Sequence, residues 1–342
     1  MGTALFGFMD TSRSQHLDAA DQRYLTFDFH CHPGRFHRRG LTDYEGDVAI
    51  LKTILAMNAS HLSGAMFSLV ADTLIIKPGP TGVSVERPYA PGEAWKEYQR
   101  QLISMKDFFQ GADVRLSTRA SDLANFAKQD KVAAFIACEG GDFLEGRSER
   151  LGQVYQDGVR SIQLVHYAQN DIGDLQTENS FHNGLSKFGK EVVQKMNVLG
   201  MVIDVAHASY KTTKDVADAS RKPIILSHSI LAMEADRPIA KRAITPDHAK
   251  VVAQTGGVIG CWPSGFNKSF SEFVDNTLRM VDVAGIDHVG LGTDMDSNFK
   301  PVLDNYAQLP EWADALKAKG LSDGEVQKLL GGNALRVLNQ IL

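Results

Sequence analysis

Eight short apolar runs recur along the chain, each rich in β-branched or aromatic residues and each closing on small or polar ones. They are YLTFDFHCH (24–32), SGAMFSLV (63–70), VAAFIACEGG (132–141), VRSIQLVHY (159–167), GMVIDVAHAS (200–209), PIILSHS (223–229), GGVIGCWP (256–263) and HVGLGTDMD (288–296). Runs this short and this continuously apolar read as strands buried on both faces. The stretches between them carry helical spacing. Phe188, Val192 and Met196 fall at four-residue intervals, and Thr245, Pro246 and Asp247 form a helix start with a capping hydroxyl, a proline at the first position and an acid in the first turn. Strand and helix in alternation predict a parallel sheet. Two architectures accommodate it, a closed (β/α)8 barrel of the TIM type and an open doubly wound sheet. The barrel is preferred because polar residues stand at the C-terminal ends of nearly all the runs, where a barrel converges them on one mouth, whereas an open sheet concentrates them at one switch point.

The expected organisation is an N-terminal extension over 1–23 and a single barrel domain over 24–342. Two regions depart from its rhythm. Residues 71–101 hold Pro78, Pro80, Pro88 and Pro91, four of the eleven prolines, and predict an excursion loop after the second strand. Residues 297–314 predict a second loop after the eighth.

Composition narrows the partners. Hydrophobic residues make up 43% and charged residues 23% of the 342 residues, and the net charge is −5, the balance of an ordinary globular protein. With no basic run, a nucleic acid is excluded as the expected partner in favour of a small molecule. Three widely spaced cysteines, Cys31, Cys138 and Cys261, make a disulfide framework improbable. No stretch reaches the roughly 18 apolar residues of a spanning helix. The first residues lack a basic n-region and a long apolar core, which leaves cytoplasm and periplasm both open.

The chemistry lies at the strand ends, which present His30 and His32, then Glu139, His166, His207, His228 and Asp294. If 24–32 is a regular strand, Asp28, His30 and His32 share one face and Cys31 looks the other way. Four histidines (His30, His32, His207, His228) with Glu139 are more ligands than one tetrahedral ion with an open position requires, so two ions sharing Glu139 are expected. A carboxylate at the end of a buried strand needs a cation or an ion-pair partner. Asp296 shares the face of Asp294 and is the weaker candidate, with loop capping as its alternative.

These residues stand in segments that resemble the membrane, or renal, dipeptidases, which are zinc-dependent barrels. The segments are FDFHCHPG, EGG at 139–141, GVRSIQLVHYAQNDIGD at 158–174, GLSKFGKEVVQKMNVLGMVIDVAHAS at 184–209, PIILSHS, GGVIG, DHVGLGTDMDS at 287–297 and GGNALRVL at 331–338. The resemblance implies two divalent metal ions, zinc, with His30, the residue at 32 and Glu139 on one and Glu139, His207 and His228 on the other. It further implies a hydroxide bridging the ions that attacks a dipeptide, His166 facing the scissile carbonyl, Asp294 handling protons, and an arginine binding the substrate carboxylate. Arg242 fits that arginine best and Arg237 is second. A homodimer belongs to the same resemblance. The chain departs from the family pattern at His32, where the family has an aspartate, and at Phe29, where it has a glycine. Paired histidines on the first strand also resemble the amidohydrolase superfamily, which implies N-acyl amino acids, lactones or phosphoesters as substrates. A third reading is an inactive binding protein of the same fold.

Overall fold

The computed structural model describes residues 24–44, 46–79, 82–110, 113–232 and 241–342. The expected extension over 1–23, and with it Arg237, lie outside these residues. Every one of the eight apolar runs contains a strand: β1 (Phe27–Cys31), β2 (Gly64–Val70), β6 (Val132–Glu139), β7 (Val159–Gln163), β8 (Val202–Asp204), β9 (Ile224–Ser229), β10 (Val258–Cys261) and β11 (Val289–Leu291). These eight are parallel and close on themselves in the order β1-β2-β6-β7-β8-β9-β10-β11-β1, with closure between β2 and β6 running in unbroken register from Gly64↔Ala133 to Val70↔Glu139.

Two of the three remaining strands come from the first excursion. It folds as an antiparallel hairpin, β3 (Ile76–Gly79) with β4 (Gly82–Val85), and gives way at Glu93 to a long helix. Strand β5 (Val114–Ser117) was not expected. It pairs with the lower half of β6, leaving the upper half to β7. Four residues with a buried-exposed-exposed-buried pattern carry too short a period to be read from sequence. The second expected loop is shorter than 297–314, because a helix starts at Leu309 with Pro310 in its first turn, a position where the missing N–H costs nothing.

The helices are α1 (Asp47–Ala59), α2 (Glu93–Gln110), α3 (Ala120–Ala127), α4 (Arg150–Gln156), α5 (Lys187–Leu199), α6 (Tyr210–Ala219), α7 (Pro246–Gln254), α8 (Phe270–Ala284), α9 (Leu309–Ala318), α10 (Asp323–Gln327) and α11 (Asn333–Ile341). Five begin with a hydroxyl that accepts a backbone N–H: Ser186 for α5, Ser209 for α6, Thr245 for α7, Ser269 for α8 and Ser322 for α10. Among the described residues no helix is long and apolar enough to cross a membrane. All three cysteines are buried free thiols.

The core has two main parts and a small cluster of Ile230 with Trp262. Phe27, Phe29, Met66, Ala133, Phe135, Ala137, Val202, Ile225 and Val258 fill the barrel, whose lower end is closed by Leu123 of α3 and Val337, Leu338 and Ile341 of α11. A larger layer lies between strands and outer helices. Higher in the barrel the Ser227 carbonyl occupies a slot between two glycines. A Cβ on Gly260 or on Gly292 would stand 1.8 Å from that oxygen. Gly260→Ala is therefore expected to destabilise the fold by about 1–3 kcal/mol or more through overpacking, read as a lower urea midpoint with an unchanged m value.

Candidate active site at the barrel mouth

The first strand does not alternate regularly. Its pairing with β2 shifts between Asp28 and Cys31, and the two halves face differently. Phe27 and Phe29 pack inside the barrel, while Asp28 bonds Thr293 and, at 2.7 Å, the Tyr306 hydroxyl, which belongs to the outer layer. Beyond the irregularity His30 and His32 turn to the mouth and Cys31 joins the outer layer. The expectation of one face for Asp28, His30 and His32 therefore holds for the histidines and fails for Asp28. A bulge re-aims a side chain in this way, and it places Phe29 and His30 on the same side.

Seven of the eight site residues are brought around one point by strand ends. Glu139, the last residue of β6, is its centre. His30, His166, His207 and His228 present Nε2 to Glu139 Oε1 at 3.3, 3.3, 3.5 and 3.9 Å, and His32 Nε2 is 3.3 Å from Oε2. Asp294 Oδ1 lies 3.3 Å from His32 Nε2. His207 and Asp294 sit in loops directly after β8 and β11 with φ of 64° and 54°, which swings both side chains back over the barrel axis. Arg242, 7% exposed, approaches from the loop before α7. Its Nη1 donates to Gln176 Oε1 at 2.6 Å, its Nη2 lies 3.4 Å from His228 Nε2, and its guanidinium stands 5.5 Å from the Trp262 ring. Glu139, His166, His207, His228, Asp294 and Arg242 all line one cavity of about 780 Å3. Asp296 stands apart in role, since its carboxylate accepts the Gly34 N–H at 2.6 Å and the Thr53 hydroxyl and so ties its own loop to the turn after β1 and to α1.

The donor atoms fit metal binding. His32 Nδ1 is 2.9 Å from the Ser68 carbonyl, which can only accept, so Nδ1 carries a proton and Nε2 is the nitrogen left to serve as a ligand. That Nε2 is 3.0 Å from His30 Nε2, and His207 and His228 face each other through Nε2 at 3.2 Å. Nitrogens and carboxylate oxygens 3.0–3.5 Å apart match the edge of a tetrahedron with bonds of about 2.0–2.1 Å. Three overlapping groups have all donor atoms within 4.8 Å of one another: His30 with His32 and Asp294, His30 with Glu139 and His228, and Glu139 with His166 and His207. The first of these brings Asp294 in beside His30 of β1 and His32 just after it, a neighbour that the family resemblance did not supply.

Electrostatics lead the same way. Burial alone would pull the His32 imidazole down, but the Asp294 and Glu139 carboxylates outweigh it and hold it at about 10, so without a cation a proton sits on Nε2 between them, and a metal ion would take that proton's place. Burial would raise Glu139, and the neighbouring His166 and His30 instead keep it well below the usual carboxylate range. Burial, with Arg242 beside one and His30 beside the other, keeps His207 and His228 well below the ordinary histidine value and hence neutral, the form a metal ligand needs. The carboxylates at the mouth require positive charge, and neutral imidazoles stand ready to coordinate it.

With this geometry in view, comparison with known proteins decides the family. The family model for membrane dipeptidases, peptidase family M19, matches residues 41–342. The chain belongs to the membrane dipeptidase family. Its curated relatives include dipeptidase tcpJ of Claviceps purpurea, 31% identical over 261 residues covering 70% of this chain, and dipeptidase verJ of Clonostachys rogersoniana, 29% identical over 66% of this chain. In each case the match spans 60% of the relative's length. Among solved structures, the probable dipeptidase PvdM of Pseudomonas aeruginosa superposes with a TM-score of 0.78 at 21% identity, over 93% of this chain and 96% of that one. A metallopeptidase of Rhodobacter sphaeroides, solved with a phosphinate mimic of L-Ala-D-Ala, has a TM-score of 0.75 at 18% identity, over 94% of this chain and all of that one. At these identities the structures bear on the fold alone, and the barrel is common to all three.

Several residues at the mouth were not read from sequence. Asp72, Gln176, Tyr167 and Trp262 surround the cluster. Asp72 had a signal, an acid two residues beyond the apolar run SGAMFSLV. Gln176 had none, since its loop has no periodicity. That loop is held by Asp174, whose carboxylate accepts N–H groups from Phe181, His182 and Gly184 at 2.7–2.8 Å and the Ser180 hydroxyl at 2.6 Å. Burial raises this carboxyl, and these donors more than offset it, bringing it to about 2. A depressed carboxylate stabilises the folded state above its unfolded pKa and loses that contribution as pH falls through the folded one. The loop is thus expected to lose about 2 kcal/mol of stability between roughly pH 4 and pH 2. Amide protection relative to the intrinsic exchange rate at 181–184 should fall over that range and be low at neutral pH in Asp174→Ala.

Proposed function

We propose that this protein hydrolyses the peptide bond of dipeptides with the help of two divalent cations, zinc in the first instance, held at the barrel mouth. The observation that carries the reading is the convergence of five imidazoles and two carboxylates beside one buried arginine, all but His30 lining a single cavity. His30, His32 and Glu139 would hold one cation, and Glu139, His207 and His228 the other. When bound, such a pair lowers the pKa of a water between them and makes a hydroxide available near neutral pH.

The chain's own residues do the rest. Arg242 takes the free carboxylate of the substrate, and Gln176 and Trp262 keep its guanidinium aimed at the cavity, which favours short substrates ending there. His166 faces the scissile carbonyl and hydrogen-bonds the oxygen as negative charge develops on it. Asp294 accepts the proton of the attacking water and returns it to the leaving amine nitrogen. A homodimer is part of this reading, by family likeness.

One observation favours a second reading. The grouping of His30 and His32 with Asp294 gives the first ion a neutral imidazole where the family pattern has a carboxylate, an arrangement similar to amidohydrolases that act on N-acyl amino acids. A panel of free dipeptides and N-acyl amino acids, assayed before and after chelation and after zinc is restored, separates the two. Cleavage of dipeptides that is lost with the metal and regained with it is expected, and its absence from every member sinks the proposal. Arg242→Ala is expected to lower kcat/KM by about 1.5–3 kcal/mol for free dipeptides and far less for their C-terminal amides. Equal losses on both would take the carboxylate contact away from Arg242.

A further inference from the structure

Two buried serines stand behind the histidines of the mouth, Ser68 of β2 and Ser227 of β9. Ser68 serves His30 and His32: its carbonyl oxygen is 2.9 Å from His32 Nδ1 and its Oγ is 3.2 Å from His30 Nδ1. Ser227 reaches further, because β9 is separated from β1 by β10 and β11. Its Oγ is 3.0 Å from His228 Nδ1 and 3.4 Å from His30 Nδ1, and the two rings lie 4.3 Å apart, tilted by 39°. Both imidazoles turn Nε2 to Glu139. An imidazole that gives Nε2 to a metal carries its proton on Nδ1 and donates it to the group behind, here the Ser227 oxygen. A hydroxyl has two lone pairs to receive with and one hydrogen to give. With both lone pairs taken, the hydrogen goes to the Asp204 carboxylate, which also accepts the Ser227 backbone N–H at 3.0 Å. The backbone of Ser227 is itself held, since its carbonyl is the one seated between Gly260 and Gly292.

We propose that Ser227 is a positioning residue shared by the two metal sites, its one hydroxyl steadying a ligand of each cation. This rests on the reading given above, in which His30 belongs to the first cation and His228 to the second. Ser68 is the contrast built into the same fold, since both of its contacts go to ligands of the first cation. Removing the Ser227 hydroxyl leaves the buried His228 Nδ1–H without its acceptor and His30 with Ser68 alone, so rings on both cations lose support. Removing the Ser68 hydroxyl touches His30 only, and the carbonyl that holds His32 stays. The two serines therefore differ in how many cations they secure.

The test strips the full-length protein of metal and titrates it with zinc, reading stoichiometry by elemental analysis and each dissociation constant by competition with a chromophoric chelator. Ser227→Ala is expected to weaken both zinc equivalents by about 10-fold or more, and Ser68→Ala only one of them. His32→Ala, which removes a ligand of the first cation, shows which one. In that background Ser227→Ala is expected still to weaken the remaining equivalent, and Ser68→Ala to leave it unchanged. Proton-detected 15N spectra of the zinc-loaded parent, assigned with His30→Ala and His228→Ala, are expected to show two Nδ1–H signals with a mutual Overhauser contact. Both signals should shift in Ser227→Ala and only that of His30 in Ser68→Ala. A Ser227→Ala protein that holds both equivalents as tightly as the parent, weakens only one, or leaves both Nδ1–H signals in place overturns the proposal. One zinc equivalent in the parent overturns the two-cation reading first and the shared role with it, an outcome told apart from the others by the parent alone. Should Ser227→Ala fold poorly, Ser227→Thr and Ser227→Val make the same comparison, being alike in shape and different in the hydroxyl. Both equivalents should stay tight in the threonine variant and loosen in the valine one, and equal affinities in the two overturn the proposal.

Discussion

A carboxylate that is 3% exposed can remain ionised only if positive charge is brought to it, since leaving a charge buried and unpaired costs several kcal/mol. Glu139 sets that condition for the whole mouth. No lysine or arginine meets it among the described ion pairs, and the partners are imidazoles, which can be neutral or charged. A ring of groups able to change charge around a fixed anion suits a place where cations come and go. The unbroken β2–β6 register that closes the barrel ends at Val70↔Glu139, so the seam of the fold and the centre of the chemistry coincide.

The residues behind this ring share one device. Asp28, Asp72, Asp174 and Asp204 are all buried, and each accepts backbone N–H groups from a neighbouring loop or strand: His30 and Thr293, Tyr167 and Ala168, Phe181 and His182, Ala206 and Ser227. Backbone donors lack the rotamer freedom of a lysine or arginine. Cross-linking strand ends through them holds the ligand-bearing segments with little side-chain entropy to lose.

Much of this was legible in the amino-acid sequence, because buried parallel strands have to be continuously apolar and their polar ends then stand out. His30, Glu139, His207 and His228 could be picked out for that reason. What stayed hidden depends on local geometry with no periodic trace. The bulge in β1 separates Asp28 from His30 although the spacing matches regular alternation. Strand β5 is too short to show a pattern. Gln176 reaches Arg242 across 66 residues of sequence, a contact that only the folded loop creates. The approach of Asp294 to His32 likewise comes from the turn after β11 and not from the strand.

The positive φ angles of His207 and Asp294 have an evolutionary side. A residue other than glycine in that conformation costs of order 1 kcal/mol, and asparagine or glycine would rest there more easily. At both positions the most stable residue is then one that cannot do the chemistry assigned here. Mutational drift in a copy of this gene freed from selection would tend to relax these two positions early, since each such change gains stability while emptying the mouth. Descendants that keep the barrel but carry Gly or Asn at 207 or 294 would be recognisable as proteins that have traded the reaction for a more comfortable backbone.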